Sequence, residues 1–439
     1  MAHEDLAGLA REIFAAALTA AEPGAFTKSA LVRCLPTDGL QAFRKHWIIA
    51  VGKAAPAMAQ AALQYTESNR LRIAGGLVVA PTRHSSPNAV LDMLAGDHPI
   101  PGERSLVAAN RLADVCDQIS ADDLVLVFIS GGTSSLIGAP VEGLTRDDFA
   151  ALTELLLASG LDIERTNAVR KRFARWGAGR LAAALAPAPV QPILLSDVPG
   201  DEPSAIGSGP LSPDSYSADE IDEILNDAGI TAKLPPRIAA MLVAMLAAIR
   251  RGELPETPKP GDAIFHRVRT PMIGGNHAAL RVAEQFALSR RLKRVALNVR
   301  PQVGDAAETG RTIARALLAA EPGTCLLMGG ETTVRLPDDH GLGGRAQQMA
   351  LAAAEILGAP DAPPTAFLAA GTDGRDGPTD AAGAIVTNAS WRALADAGID
   401  ASAALTRCDA HPALAAIGAL VRTGLTGTNV GDVIVALRG

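Results

Sequence analysis

Aromatic residues are scarce: Phe, Trp and Tyr make up 3% of the 439 residues. So thin a supply speaks against the stacking platforms that hold single-stranded nucleic acids. Positive charge is short as well. Lys and Arg number 40 against 47 Asp and Glu, a formal net charge of -7, so no basic surface marks a nucleic-acid or anionic-membrane partner. The four cysteines, Cys34, Cys116, Cys325 and Cys408, lie far apart and form no Cys-x-x-Cys pair. That argues against a zinc site or a disulfide framework and fits a reducing, cytoplasmic setting. No apolar run reaches the roughly 18 residues of a membrane span. The opening MAHEDLAGLAREIFAAAL is acidic early and helical in period, unlike a signal peptide. Three signatures are missing too: the Gly-x-x-x-x-Gly-Lys-Ser/Thr phosphate loop, the Gly-x-Gly-x-x-Gly dinucleotide turn and His-Glu-x-x-His.

What the chain has is apolar residues in short runs. They reach 48% of the sequence, ample for more than one core, and single cores stop growing near about 250–300 residues. Strand-like runs at 46–52, 75–81, 123–132 and 192–198 alternate with helical patterns at 54–66, 105–119 and 146–158. The alternation predicts an α/β fold with a largely parallel sheet, whose ligands gather where the strands end. GELPETPKPGD (252–262) reads as a linker, giving domains at 1–253 and 256–439. Further strand-like runs follow at 270–275, 294–300, 325–330, 366–371 and 433–437.

The densest polar chemistry is FLAAGTDGRDGPTDAAGAIV (367–386). A buried strand runs into Thr372, Asp373, Asp376, Thr379 and Asp380 among glycines. Hard oxygens in that number suit Mg2+, which takes one or two carboxylates plus substrate phosphates; a solvated turn is the bland alternative. Two cations stand at predicted helix starts: Lys53 in VGKAAPAMA and Arg345 in GLGGRAQQM. A helix N-terminus opposes a cation unless an anion lies between them, so both read as anion sites, with a solvated helix-cap lysine and a surface arginine as the bland alternatives. The run Ser130, Gly131, Gly132, Thr133, Ser134 offers hydroxyls and amides after a strand for a phosphate or carboxylate. Asp197 ends an apolar run where catalytic carboxylates sit in α/β folds. Thr166 or Asn167 reads as the cap of a helix carrying Arg170, Lys171, Arg172, Arg175 and Arg180, either a solvated basic face or a landing site for an acidic substrate. His98 in GDHPIPG reads as a loop contact.

Together the segments VGKAAPAMA, GDHPIPGERSL, ISGGTSSL, LLSDVPGDEPSAIGSGP, GGETTVRLPDDHGLGGRAQQMALA, GTDGRDGPTDAAGAIV and GTNVGDVIVAL resemble those of MOFRL-type glycerate 2-kinases, in order and from about residue 50 to the C-terminus. The resemblance implies two α/β domains around a deep cleft, the first Rossmann-like. It implies transfer of the ATP γ-phosphate to the 2-hydroxyl of D-glycerate with Mg2+. Some relatives carry the name hydroxypyruvate reductase, which the missing dinucleotide turn does not support. The resemblance places Lys53 and Arg345 in the active site. The expected roles are then catalysis for Lys53, Arg345 and Asp197, and substrate or phosphate binding for residues 130–134, Arg170, Glu331 and Thr372. Asp373 and Asp376 are the expected metal ligands. ATP and the small acid are the expected partners, without nucleic acid or membrane, and a homodimer is compatible with the pattern. The chain departs from the family at two places: Asn-x-Glu after Gly-Gly-Arg is here Ala346-Gln347-Gln348, and Thr133 stands where a third glycine is usual.

Overall fold

The computed structural model describes residues 5–35, 42–83, 89–198, 200–290 and 292–439. The chain opens with helix α1 (Leu6–Ala21), capped by Asp5, whose carboxylate accepts the Gly8 N–H at 2.9 Å. Two compact units follow from the contacts, and neither is continuous in sequence. One comprises Thr27–Ser196 and Glu202–Ile273; the other comprises Met1–Phe26, Asp197–Asp201 and Gly274–Gly439.

The first unit is built on β1 (His46–Val51), β2 (Ile73–Ala80), β3 (Leu91–Ala95), β4 (Leu124–Ser130) and β5 (Val190–Leu195). Every pair in the order β3-β2-β1-β4-β5 is parallel, and β6 (Met272–Gly274) extends the edge. β1 and β4 are buried along their whole length, which is why both read as unbroken apolar runs. From β1 the chain moves outward through α2 (Ala55–Ser68) to β2 and β3, then returns to lay β4 on the other side of β1. That reversal between β1 and β4 is the switch point at which open α/β sheets bind ligands. α3 (Thr133–Leu136) follows β4, and α4 (Ile163–Arg172) leads back toward β5.

Three sequence expectations change here. α4 begins at an Asp162 cap, whose carboxylate accepts the Arg165 N–H at 2.7 Å, so Thr166 and Asn167 lie inside the helix. Its basic residues do not form a solvated face. Lys171 and Arg172 are buried beside Asp214, with Lys171 Nζ 3.1 Å from its carboxylate. Arg172 also pairs with Glu256, and Thr257 Oγ1 donates to Asp214 at 2.9 Å. The Pro-rich stretch read as a linker is thereby fastened into the first unit, and the crossings between units fall at 26/27, 196/197, 201/202 and 273/274. Arg180 caps the end of α4, donating to the carbonyls of Lys171, Arg172 and Ala174.

In the second unit the sheet order is β11 (Leu420–Val421), β10 (Gly383–Thr387), β9 (Thr365–Gly371), β12 (Asp432–Arg438), β8 (Thr324–Gly330), β7 (Arg294–Leu297). Only β7 and β8 pair parallel; the rest is antiparallel. The last strand of the chain thus lies in the middle. α5 (Asn276–Ser289) leads into β7, α6 (Ala306–Ala319) into β8 and α7 (Arg345–Leu357) into β9. α6 and α7 pack on the face carrying Phe367, Ala369, Ile434 and Ala436. The alternate residues, Leu368, Val433 and Val435 among them, are also buried, on the side that α1 and α5 cover.

Breaking a buried ion pair by removing one partner costs about 3–5 kcal/mol, because the other charge stays buried. Asp214→Asn leaves Lys171 in that state, while Arg172 keeps Glu256. Urea unfolding should show a loss of about that size, and a loss below about 1 kcal/mol would show that Lys171 reaches water.

Candidate functional site

At the switch point of the first unit the ends of β1 and β4 are tied together. Ala54 N–H donates to Ser130 Oγ at 3.0 Å, and Lys53 N–H donates to the Gly131 carbonyl at 2.8 Å. Thr133 Oγ1 lies 2.8 Å from the Val51 carbonyl and 2.7 Å from that of Ser130. The threonine that replaces the usual glycine therefore clamps two neighbouring strand ends. Gly52 has φ +134° and comes so near that a Cβ would fall 2.0 Å from Ser130 Oγ; only glycine fits there. Ser134 Oγ shares a 2.7 Å hydrogen bond with Ser208 Oγ.

The result is an exposed Lys53 beside a rigid turn of glycines. The Lys53 stem and the His98 ring approach Gly132 from two sides, 3.5 and 3.0 Å from where a Cβ would stand. Ser130 and Thr133 are buried and spend their hydroxyls on the turn itself. Of the residues expected to bind phosphate, these two shape the turn, while Gly131, Gly132 and Ser134 are half-buried along it. Arg170 is half-buried with no carboxylate partner among the described residues. Its Nη2 donates to Asn167 Oδ1 at 2.7 Å, its buried Nε has no partner, and burial lowers its pKa. Such a guanidinium is open to an anion.

In the second unit Arg345 opens α7 and is gripped at both ends of its fork. Nε and Nη2 donate to the two oxygens of Asp432 at 2.7 and 3.0 Å, and Nη1 donates to Glu331 at 2.5 Å. Burial works against the charge of Arg345, but the bonds to Asp432 and the nearby Glu331 raise its pKa. The buried Asp432 carboxyl is pushed up by desolvation and further by Glu331 and Asp373, against the pull of Arg345. Asp373 is half-buried close by, its Oδ1 accepting the Arg375 N–H at 3.0 Å. One guanidinium thus faces three carboxylates. Arg345, Glu331 and Asp373, together with Arg375, Asp376 and Asn429, border a cavity of about 560 Å³. Asp197 lies elsewhere in the unit, in a neighbouring cavity whose wall also includes Glu331.

Two expected binding residues have other duties. The Thr372 hydroxyl is buried, donating to the Gly431 carbonyl at 2.7 Å and accepting the Val430 N–H at 2.9 Å. Asp376 is buried at the N-terminus of α7, its two oxygens accepting the N–H groups of Ala346 and Gln347 at 3.1 and 2.8 Å. The approach is so close that a Cβ on Gly344 would fall 2.3 Å from that carboxyl group. The anion that helix electrostatics demanded at this N-terminus is therefore supplied by the chain itself, and both Asp376 oxygens are engaged. Gln347 and Gln348 are buried too. Their amides donate to Thr379 Oγ1 at 2.9 Å and to the Leu405 carbonyl at 2.8 Å. A glutamate at 348 would meet that carbonyl without a proton to give it.

Among the described residues no group of three or more His, Cys, Asp or Glu is placed to hold a metal by itself. Mg2+ does not require one, since it keeps several waters and takes one or two carboxylates plus substrate phosphates; Asp373, with one oxygen lacking a partner among the described residues, fits that pattern. Sequence reasoning missed Asp432. It stands at the start of its strand, but β12 runs antiparallel, so Asp432 lies beside Gly330 and Gly371 at the ends of β8 and β9.

Burial raises the Asp376 pKa to about 6, and the two backbone N–H bonds only partly offset it. Because this lies above the 3.8 of an unperturbed aspartate, the folded protein binds more protons than the unfolded chain between the two values. That contribution to stability grows as pH falls through 6 and is lost as pH rises. The stability difference between wild type and Asp376→Asn should shift toward wild type as pH falls from about 7.5 to about 5, read by urea unfolding at each pH. A difference that ignores pH would show that this carboxylate is not strained.

The comparisons with known proteins follow this geometry. Residues 324–432 match the MOFRL family, and residues 9–243 match a domain of unknown function, DUF4147. D-glycerate 2-kinase of Thermotoga maritima is 35% identical over 89% of this chain and 90% of its own length. A relative from Agrobacterium vitis, 37% identical over 98% of this chain and 94% of its own, carries a provisional hydroxypyruvate reductase name. The crystal structure of the Thermotoga maritima glycerate kinase superposes with a TM-score of 0.85 at 33% identity, covering 99% of both chains. The chain belongs to the MOFRL-containing glycerate kinase family.

Proposed function

We propose that this chain is an ATP-dependent kinase that phosphorylates the 2-hydroxyl of D-glycerate to give 2-phosphoglycerate. The observation that carries the reading is the Arg345 constellation: a cation with a fixed two-point anchor, ringed by an excess of carboxylates. Phosphoryl transfer needs charge neutralisation and positioning more than covalent chemistry. A site with excess carboxylate suits a nucleotide that arrives with a divalent cation. The kinase names of relatives at 32–35% identity support the same reaction.

In this reading Arg345 neutralises phosphate oxygens, and Lys53 does so from the β1–β4 turn. The amides of Gly131 and Gly132, the Ser134 hydroxyl and Arg170 take the glycerate carboxylate. Asp373 is the residue that would hold Mg2+, which when bound would supply positive charge to the phosphates. Asp376 and Thr372 act through the backbone they fix. Asp197 and Glu331 are the carboxylates available to orient the acceptor hydroxyl or the ribose. No helix among the described residues is long and apolar enough to cross a membrane, in keeping with soluble substrates.

The direct test is coupled ADP release with ATP and D-glycerate, run beside NADH consumption with hydroxypyruvate. ADP formation that requires glycerate is the expected result; NADH consumption without it would reassign the chain to reduction. Removing one charge-stabilising donor costs about 10²–10³ in kcat. Lys53→Ala should lose that much while its unfolding midpoint stays put, since the side chain is exposed. Chelation should abolish turnover and added Mg2+ restore it. Asp373→Asn should shift the Mg2+ titration to higher concentration, and an unshifted curve would move the metal to another carboxylate.

A further inference from the structure

Beside the Arg345 cavity, and on the other side of Glu331, the second unit holds a smaller cavity of about 150 Å³. Its walls come from the N-terminus of α5, the ends of β7 and β8, and the Asp197–Asp201 segment. Three carboxylates line it, those of Asp197, Asp201 and Glu331, and no Lys or Arg among the described residues does. The remaining walls are apolar: Val198, Leu280 and Val430 within, Val299 and Pro301 at the rim. Val299 is 54% exposed, an apolar side chain held open beside the cavity.

Two asparagines supply amide chemistry. Asn276 Nδ2 donates to the Asp432 carbonyl at 2.8 Å, which ties this cavity to the residue that anchors Arg345. Its Oδ1 lies so close to Gly329 that a Cβ there would fall 1.8 Å away, so the side chain has one place to be. Asn298 Oδ1 accepts the Arg300 N–H at 3.0 Å; its Nδ2 makes no hydrogen bond among the described residues and is a donor for an incoming group. A cavity near 150 Å³ takes a flat ring, and carboxylates beside it accept hydroxyl or amino protons, as an acidic residue does from ribose in dinucleotide sites.

We propose that this cavity is the base end of the nucleoside subsite, taking the purine ring of the phosphoryl donor, with the ribose at its mouth beside Glu331, where it gives way to phosphates. The phosphates then lie in the larger cavity, against Arg345 and Arg375. The inference rests on the kinase reading, but a nucleoside can be tested without turnover.

Asn298→Ala and Val299→Ser change exposed side chains, so the fold should tolerate them. Each should raise the KM for ATP about tenfold, the equivalent of about 1.4 kcal/mol, while kcat and the KM for glycerate stay within about twofold. Adenosine, which carries no phosphate, should bind wild type in calorimetric titration and compete with ATP. Its affinity should fall in both variants by a similar factor. A raised KM for glycerate with an unchanged KM for ATP would make the cavity the acceptor site and overturn the proposal. Unchanged values for both substrates would overturn it as well. If wild type forms no ADP yet binds adenosine and the variants do not, the subsite stands and the reaction assignment falls.

Discussion

The grip of Asp432 and Glu331 on the Arg345 guanidinium organises the second unit's site. Arg345 starts a helix, Asp432 starts the central strand and Glu331 follows the end of its neighbour, so one planar group fixes three elements at once. A guanidinium suits this because its donors are set in a rigid fork; a lysine would meet the same carboxylates as a point charge. The pair does not silence the site. Counting Asp373, three carboxylates surround one cation; burial pushes the Asp432 carboxyl up, and Glu331 and Asp373 add to that against the pull of Arg345. What the arrangement lacks is positive charge, which a nucleotide-bound cation brings.

Asp376 extends the same logic to the backbone. Its carboxylate takes two N–H groups that a helix start leaves unsatisfied, and it pins the first turn of α7, from which Arg345 projects. In the first unit, Ser130 and Thr133 likewise spend their hydroxyls on backbone groups and leave Lys53 presented by a turn with little freedom. Both units thus place one cation on a framework of buried, fully used polar groups, and positions held this firmly need little reorganisation when charge moves.

Much of this was legible in the sequence. β1, β4 and β9 are buried along their whole length and read as continuous apolar runs, and in the parallel first sheet the polar residues that follow β1 and β4 stand where such strands deliver their ends to a ligand. Asp432 escaped because an antiparallel strand delivers its beginning instead, and strand direction is not written in its residues. α1 packs on a sheet whose central strand, β12, lies more than four hundred residues away, sealed by Thr428 Oγ1 donating to the Ala21 carbonyl. No local pattern announces such a return. The Pro-rich stretch at 252–262 has the composition of a linker, yet Glu256 and Thr257 complete a buried ion cluster. Composition reports exposure on average and cannot see a partner supplied from elsewhere in the chain.

The two cations at helix starts show how far local electrostatics reaches. The premise was that a helix N-terminus tolerates a cation only when an anion intervenes. At α7 the anion is there, but it is Asp376, and Arg345 turns to Asp432 and Glu331 rather than to the helix axis. At α2 the Ser130 hydroxyl accepts the Ala54 N–H, a neutral partner that satisfies the donor without cancelling its field. Lys53, one residue earlier, therefore feels the unfavourable helix end and has no carboxylate partner among the described residues. Of the two positions, this is the one where an incoming anion improves the local electrostatics outright, and Arg345 is the one where it must share a cation already held.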